Sequence, residues 1–204
     1  MSKDFTQVAP NTVTRKDREV QDEGWIKGLL RRAPVGVLAT VHDGQPFLNT
    51  NLFVYDEARG AIYMHTAKVG RTRSNIEADE RVCFSANEMG RMLPADEAQN
   101  FSVEYAGVVA FGRASIIENL EEARDALQML LDKYAPHLKP GGDYRPPVVE
   151  EVKRTSVYRI RIESWSGKKK EVEADFPGAY RYESLKPYPP RSSEEPGNSD
   201  AERY

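Results

Sequence analysis

Two alternating apolar runs separated by Asp43-Gly44 constrain this chain more than any other feature. Val35, Val37, Ala39 and Val41 alternate with Gly36, Leu38 and Thr40, and the run ends in His42-Asp43-Gly44-Gln45-Pro46. Alternation with a period of two is the signature of a strand with one buried face, and Asp-Gly between two such runs is a strong signal for a tight hairpin. Phe47 to Tyr55 reads as the return strand. Asp56-Glu57-Ala58-Arg59-Gly60 is a second turn, and Ala61 to Thr66 a third strand. Three strands joined by short turns form an antiparallel meander.

Helix signals flank this unit. Asp22 caps a short helix reaching about Ala33, in which Trp25, Ile26, Leu29 and Leu30 share a face. Pro34 ends it, because the residue before a proline is driven out of helical geometry. Gly70 to Ala78 reads as a short helix and Arg81 to Ala86 as a strand. Asn87 to Asn100, with its Gly, Pro, two Met and several charges, reads as a long loop. Val103 to Ile117 is a long strand in which Gly107 and Gly112 mark a bend, a bulge or a close backbone approach. Asn119 starts a helix with Glu122 placed for a capping box, and Leu120, Ala123, Leu127, Leu130, Leu131 and Tyr134 form its apolar stripe. Thr155 to Glu163 is the last strand. The expectation is a mainly β chain of about six antiparallel strands with flanking helices, curved into a closed or half-closed barrel so that few edges stay exposed.

Composition divides the chain. Of its 204 residues 39% are hydrophobic and 30% charged, but the apolar residues concentrate in the middle. The reading is an N-terminal arm over 1–22, one domain over 23–168, and a C-terminal tail over 169–204 that is extended or disordered. A net charge of −3 and a pI of about 5.8 do not call for nucleic acid or an anionic membrane. No apolar run approaches the roughly 20 residues of a membrane span. Met1 to Phe5 lacks the apolar centre of a signal peptide, and Cys83 is the only cysteine, so a cytoplasmic protein is expected.

Four places could carry chemistry. In His65-Thr66-Ala67-Lys68-Val69-Gly70-Arg71-Thr72-Arg73-Ser74-Asn75, three cations and three hydroxyls meet where a strand becomes a helix. A helix start offers free N–H groups, so this is either a phosphate site or a solvated basic turn. Asn49, Thr50 and Asn51 interrupt an apolar strand. They either face solvent or hydrogen-bond a planar polar ligand. Trp165-Ser166-Gly167-Lys168, past the last strand, either packs on a ligand ring or is a core tryptophan with a basic tail. His65 is either an acid–base group or a structural histidine. The three histidines lack metal-ligand spacing, so no metal is expected.

Taken in order, Gly36 to Thr40, Asp43 to Pro46, Ile62 to Gly70, Asn75-Ile76, Arg81 to Phe84, Tyr105 through Ala114, and Trp165 to Lys168 resemble the pyridoxamine 5′-phosphate oxidase-like flavin-binding split barrels. The nitroimidazole-resistance branch is the nearer likeness. The resemblance spans about residues 33–168. It implies a six-stranded split barrel, a homodimer, and FMN lying between the two chains. It places Lys68, Arg71 and Thr72 at the phosphate, and counts Thr66 among the cofactor-binding residues. It places Thr40, Asn49, Thr50 and Asn51 along the ring and ribityl chain, and His65 near the flavin as the catalytic candidate. Trp165 and Lys168 would approach from the second subunit or the dimer seam. The implied activity is flavin-dependent reduction of a small, nitro-type electron acceptor, with NAD(P)H or another protein as electron donor. The alternative is a split barrel that binds flavin, haem or a deazaflavin without turnover. The Pro- and Glu-rich C-terminus lacks the basic and histidine cluster of the vitamin B6 oxidase, which argues against pyridoxamine phosphate as substrate.

Overall fold

The structure is a computed structural model that describes residues 4–184. Its strands are β1 (Glu19–Val20), β2 (Gly36–His42), β3 (Gln45–Asn51), β4 (Phe53–Asp56), β5 (Ala61–Ala67), β6 (Arg81–Leu93), β7 (Ser102–Ile116), β8 (Thr155–Lys170) and β9 (Tyr180–Arg181). The helices are α1 (Glu23–Arg32), α2 (Arg71–Ala78), α3 (Leu120–Tyr134) and α4 (Val149–Val152). The β2–β3 hairpin turns at Asp43 (φ 49°) and Gly44 (φ 74°), the pair of positive φ angles that matches the twist of the flanking strands. Asp22 caps α1 by accepting from the amides of Gly24 and Trp25. Asn119 caps α3 by accepting from those of Glu121 and Glu122. The Glu122 carboxylate does not complete a capping box. It accepts from Arg159 at 2.9 Å and Tyr63 at 3.4 Å, fastening α3 to the sheet.

One antiparallel sheet contains all nine strands, three more than expected. Its main path runs β3-β2-β6-β7-β8-β5-β4. Strands β6, β7 and β8 are 13, 15 and 16 residues long and project beyond the others. On the projecting part β9 pairs with β6 at Arg91 and Met92, and β1 pairs with β8 at Gly167 and Lys168. Two corrections follow. The segment read as a loop after Ala86 continues β6 to Leu93, and the last strand runs on through Trp165 to Lys170. A third concerns the return strand, which breaks at Leu52 into β3 and β4. These are the two edges of the main path, so the sheet is not closed by pairing. The chain itself crosses from one edge to the other through that residue.

The concave side of the sheet holds the main core. Ile26, Leu29 and Leu30 of α1 and Ile76 of α2 pack there against Leu38, Phe53, Ile62, Met64, Phe84, Val108, Tyr158 and Ile160. On the other side of β5 and β8, Ala123 and Ala126 of α3 and Val152 of α4 cover Ala61, Tyr63 and Val157. A bulge lies between Phe111 and Gly112 of β7. A Cβ on Gly112 would sit 2.0 Å from the Arg161 carbonyl oxygen, so no side chain fits there. No element among the described residues of this chain buries the convex face of β3, β2, β6 and β7. Alternation places Leu48, Val37, Ala39, Val41, Cys83, Ser85, Val109 and Phe111 on it, and none of them is buried.

Residues 171–181 form a strap along β6. Arg91 donates to both carboxylate oxygens of Glu104 and to the carbonyls of Val172, Glu173 and Ala174. The Val172 amide donates to Glu104 at 3.1 Å. Of the aromatic residues in the tail, Tyr188 and Tyr204 lie outside the described residues.

Candidate functional site

A cavity of about 390 Å³ opens where the β3 edge, the end of β5 and the start of α2 converge. Asn49, Thr50 and Asn51 form one wall. Thr66 and Ala67 form a second, and Arg71 and Thr72 a third, with the apolar Phe47 and Val69 at the mouth. The convergence follows from register. Asn49 and Asn51 pair with Leu38 and Gly36, so they share the concave face on which α2 also packs.

Here the cations lack partners. Among the described residues no carboxylate or other acceptor meets the side chains of Lys68 and Arg71, and both are exposed. Thr72 is buried, and its Oγ1 accepts from Asn49 Nδ2 at 3.1 Å. Its own proton therefore stays available to a ligand. Two free cations, a hydroxyl donor and the first N–H groups of an uncapped helix make a concave site suited to a dianion. Arg73 differs, being held by Glu77 at 2.8 Å and by Ser156 Oγ at 3.0 Å. A larger cleft of about 1140 Å³ lies beside the strap. There Arg18, Arg32, Arg91 and Lys169 are each matched to Asp17, Glu88, Glu104 and Glu171.

Several expected site residues do other work. Thr40 is buried, donates to the Phe47 carbonyl at 3.4 Å, accepts from Asn75 Nδ2 at 2.9 Å, and does not line the cavity. Asn51 spends its amide on the His65 carbonyl at 2.5 Å and its oxygen on the Leu52 amide at 2.8 Å, bracing the β3–β4 break. Thr66 lines the cavity, but its hydroxyl bonds Tyr158 Oη at 2.8 Å and the Ala67 carbonyl at 3.0 Å. His65 is not a lining residue. Ala61 and Tyr63 face α3, so the period of two sends the His65 ring to that side, away from the cavity. Its Nδ1 is buried without a partner, and burial lowers its pKa.

Trp165 and Lys168 are not brought to this cavity within one chain. Trp165 lies nine positions beyond Ser156 on β8, about 30 Å along the strand. It is partly buried and packs against the main core. Lys168 follows the other alternation and sits on the convex side. The residues that sequence reading missed are Ser156 and Tyr158. Both are buried and meet the site only through pairings remote in sequence, so no local pattern marks them.

Fold and site together define a split barrel with an anion-ready cavity on its rim. The sequence profile of the pyridoxamine 5′-phosphate oxidase family matches residues 22–169. A flavocytochrome from Azotobacter vinelandii has a similar fold, with a TM-score of 0.70 and 21% identity over 95% of this chain and 92% of that one. An FAD- and haem-binding protein from Mycobacterium smegmatis gives 0.69 and 19% over 76% and 74% of the two chains. A candidate 5-nitroimidazole antibiotic resistance protein from Bacteroides thetaiotaomicron gives 0.62 and 19% over 74% and 86%. No curated protein sequence matches. The chain belongs to the pyridoxamine 5′-phosphate oxidase family. Among the described residues no helix is long and apolar enough to cross a membrane, and no cluster of His, Cys, Asp and Glu could hold a metal ion.

Proposed function

We propose that this protein is an FMN-dependent oxidoreductase that reduces a small organic acceptor of the nitro type, with the flavin bound where two copies of the chain meet. The observation that carries the reading is the pair of unpartnered cations, Lys68 and Arg71, beside the free Thr72 proton on the cavity wall. A flavin phosphate fits that donor set. Lys68, Arg71 and Thr72 would hold it, and Asn49 would orient the polar edge of the flavin beside them. The exposed Phe47 and Val69 at the mouth would cover the apolar part of the ring and keep water from it. Bound flavin supplies the electron transfer; the protein binds, orients and shields it. His65 has no proton-transfer duty in this reading, because its ring lies on the far side of β5.

The uncovered convex face supports the second copy. Small and apolar side chains spread over four strands suit sheet packing, and Lys168 on the same face would then enter the partner's neighbourhood. The nitro-type acceptor draws support from the likeness to the candidate nitroimidazole resistance protein.

An absorption spectrum of the purified protein, with and without added FMN, tests the reading. Flavin bands at about one FMN per chain are expected. Colourless protein that takes up no FMN overturns it. A second reading, a flavin- or haem-carrying protein without turnover, is favoured by the likeness to a flavocytochrome along nearly the whole chain. A Soret band, with no reductase activity toward NAD(P)H and a nitro acceptor, would select it.

A further inference from the structure

Two buried side chains of β8 end in short hydrogen-bond relays beneath the cavity. Thr66 has a single hydroxyl proton, and the Ala67 carbonyl accepts it at 3.0 Å. Tyr158 must therefore be the donor in the 2.8 Å contact between its Oη and Thr66 Oγ1. The second relay has the same form. Arg73 Nη1 donates to Ser156 Oγ at 3.0 Å, and Ser156 donates to the Lys68 carbonyl at 3.2 Å. Thr66 and Ser156 are cross-strand partners, so both relays rise from one patch of the concave face. They end on the carbonyls of two consecutive residues.

Consecutive carbonyls in a strand point to opposite sides. Here both accept from side chains on the concave face, at the last residue of β5 and the residue after it. In a trans peptide the N–H points opposite to the C=O, and no peptide among the described residues is cis. Pulling the Ala67 and Lys68 carbonyls down therefore turns the N–H groups of Lys68 and Val69 outward, beside the cavity that Ala67 and Val69 line. Successive N–H groups facing one way form a cradle for an anion.

We infer that Tyr158 and Ser156, with Arg73 behind Ser156, are positioning residues that aim the Lys68 and Val69 amides at the phosphate of the bound flavin. The inference rests on the flavin reading above and goes beyond it by assigning part of the phosphate recognition to main chain set from β8. Neither Ser156 nor Tyr158 lines the cavity, and both are fully buried. The ligand chemistry is a phosphate ester, carried by FMN or by the diphosphate of FAD.

Fluorescence titration with FMN, FAD and riboflavin tests the inference, because riboflavin keeps the ring and lacks the phosphate. The readout is the affinity ratio of the tighter phosphorylated flavin to riboflavin. In Ser156→Ala and in Tyr158→Phe this ratio should fall about tenfold with riboflavin affinity unchanged, and Ser156→Thr should restore it. A role confined to stability would weaken all three flavins alike and leave the ratio intact. An unchanged ratio in both variants overturns the inference while the flavin reading stands. A wild-type protein that binds phosphorylated flavin no better than riboflavin overturns the phosphate assignment itself, and the inference with it.

Discussion

Asn75 in α2 donates its side-chain amide to Thr40 Oγ1 in β2 at 2.9 Å, and both residues are buried. The bond ties the helix carrying Arg71 and Thr72 to the strand beneath it. Thr40 passes its own proton to the Phe47 carbonyl on β3, so helix, strand and cavity wall are linked in series. Removing either partner strands a buried polar group. Asn75→Ala and Thr40→Val should each cost about 1–3 kcal/mol in urea unfolding. The double variant should cost about 1 kcal/mol less than their sum. Strict additivity would show that the two side chains are not coupled.

The convex face predicts a dimer that one charge should break. Leu48 is 63% exposed and pairs across the hairpin with Ala39 on the same face. Sedimentation should give twice the chain mass for the wild type and a monomer for Leu48→Arg. The folded monomer should be within about 0.5 kcal/mol of its expected stability, since the change touches no internal contact. A wild-type protein that stays monomeric at every concentration removes the dimer from the proposal.

Lys133, near the end of α3, points into the structure. Its Nζ donates to the carbonyls of Ala33 and Phe53 at 2.9 and 3.0 Å and lies 3.7 Å from the centre of the Phe53 ring. Burial lowers its pKa to about 8. The two carbonyls and the ring face favour the charged form and oppose that shift. The sign follows from proton counting. Between about pH 8 and the unfolded value of 10.5 the unfolded chain binds more protons, so this group makes stability rise with pH through that window. Allowing for solvent screening of a half-buried side chain, the rise should be about 1–2 kcal/mol. Urea unfolding from pH 7 to 10.5 should show it in the wild type and lose it in Lys133→Met. Equal slopes in the two proteins would remove Lys133 as the cause.

The strap over 171–181 should respond to acid. Hydrogen bonds from Arg91 hold Glu104 down to about pKa 2, well below its ordinary 4.5. A depressed carboxylate stabilises above its unfolded pKa, and that contribution fades as the pH falls from about 4.5 toward 2. The protection factor of the Val172 amide, which donates to Glu104, should fall over this range. Arg91→Ala should bring the same loss of protection at neutral pH while the β5 amides stay protected. Unchanged exchange at Val172 in Arg91→Ala would show that the strap is held by other contacts.

Local chemistry explains which parts of the fold could be read in advance. Asp43-Gly44 specifies its turn through backbone angles that few other residues tolerate, and Asp22 and Asn119 mark helix starts through side-chain caps. The stretch after Ala86 was misread as a loop because its signals cancel. Gly90 and Arg91 look like breakers, but Gly90 is packed against Glu104, and Arg91 is neutralised by Glu104 and by carbonyls 81 to 83 positions away. Trp165 to Lys168 was likewise cut from its strand, since Ser-Gly-Lys reads as a terminus until β1 pairs with it. At the site, Lys68, Arg71 and Thr72 were legible because they lie within five residues at a strand–helix junction. Ser156 and Tyr158 were not, because nothing near them in sequence reveals that β8 pairs with β5.

The pairing of β5 with β8 also fixes an order of events. Lys68, Arg71 and Thr72 leave the ribosome early, whereas Ser156 and Tyr158 follow more than 80 residues later. Hairpins such as β2–β3 can close locally, but a contact this remote in sequence must wait for most of the chain. A nascent or truncated polypeptide ending before residue 155 would carry the cations of the cavity and lack the strand that shapes the loop between them. On the function proposed above, cofactor capture would be deferred to the close of synthesis, and a chain that holds a flavin phosphate tightly would, by that fact, have finished folding.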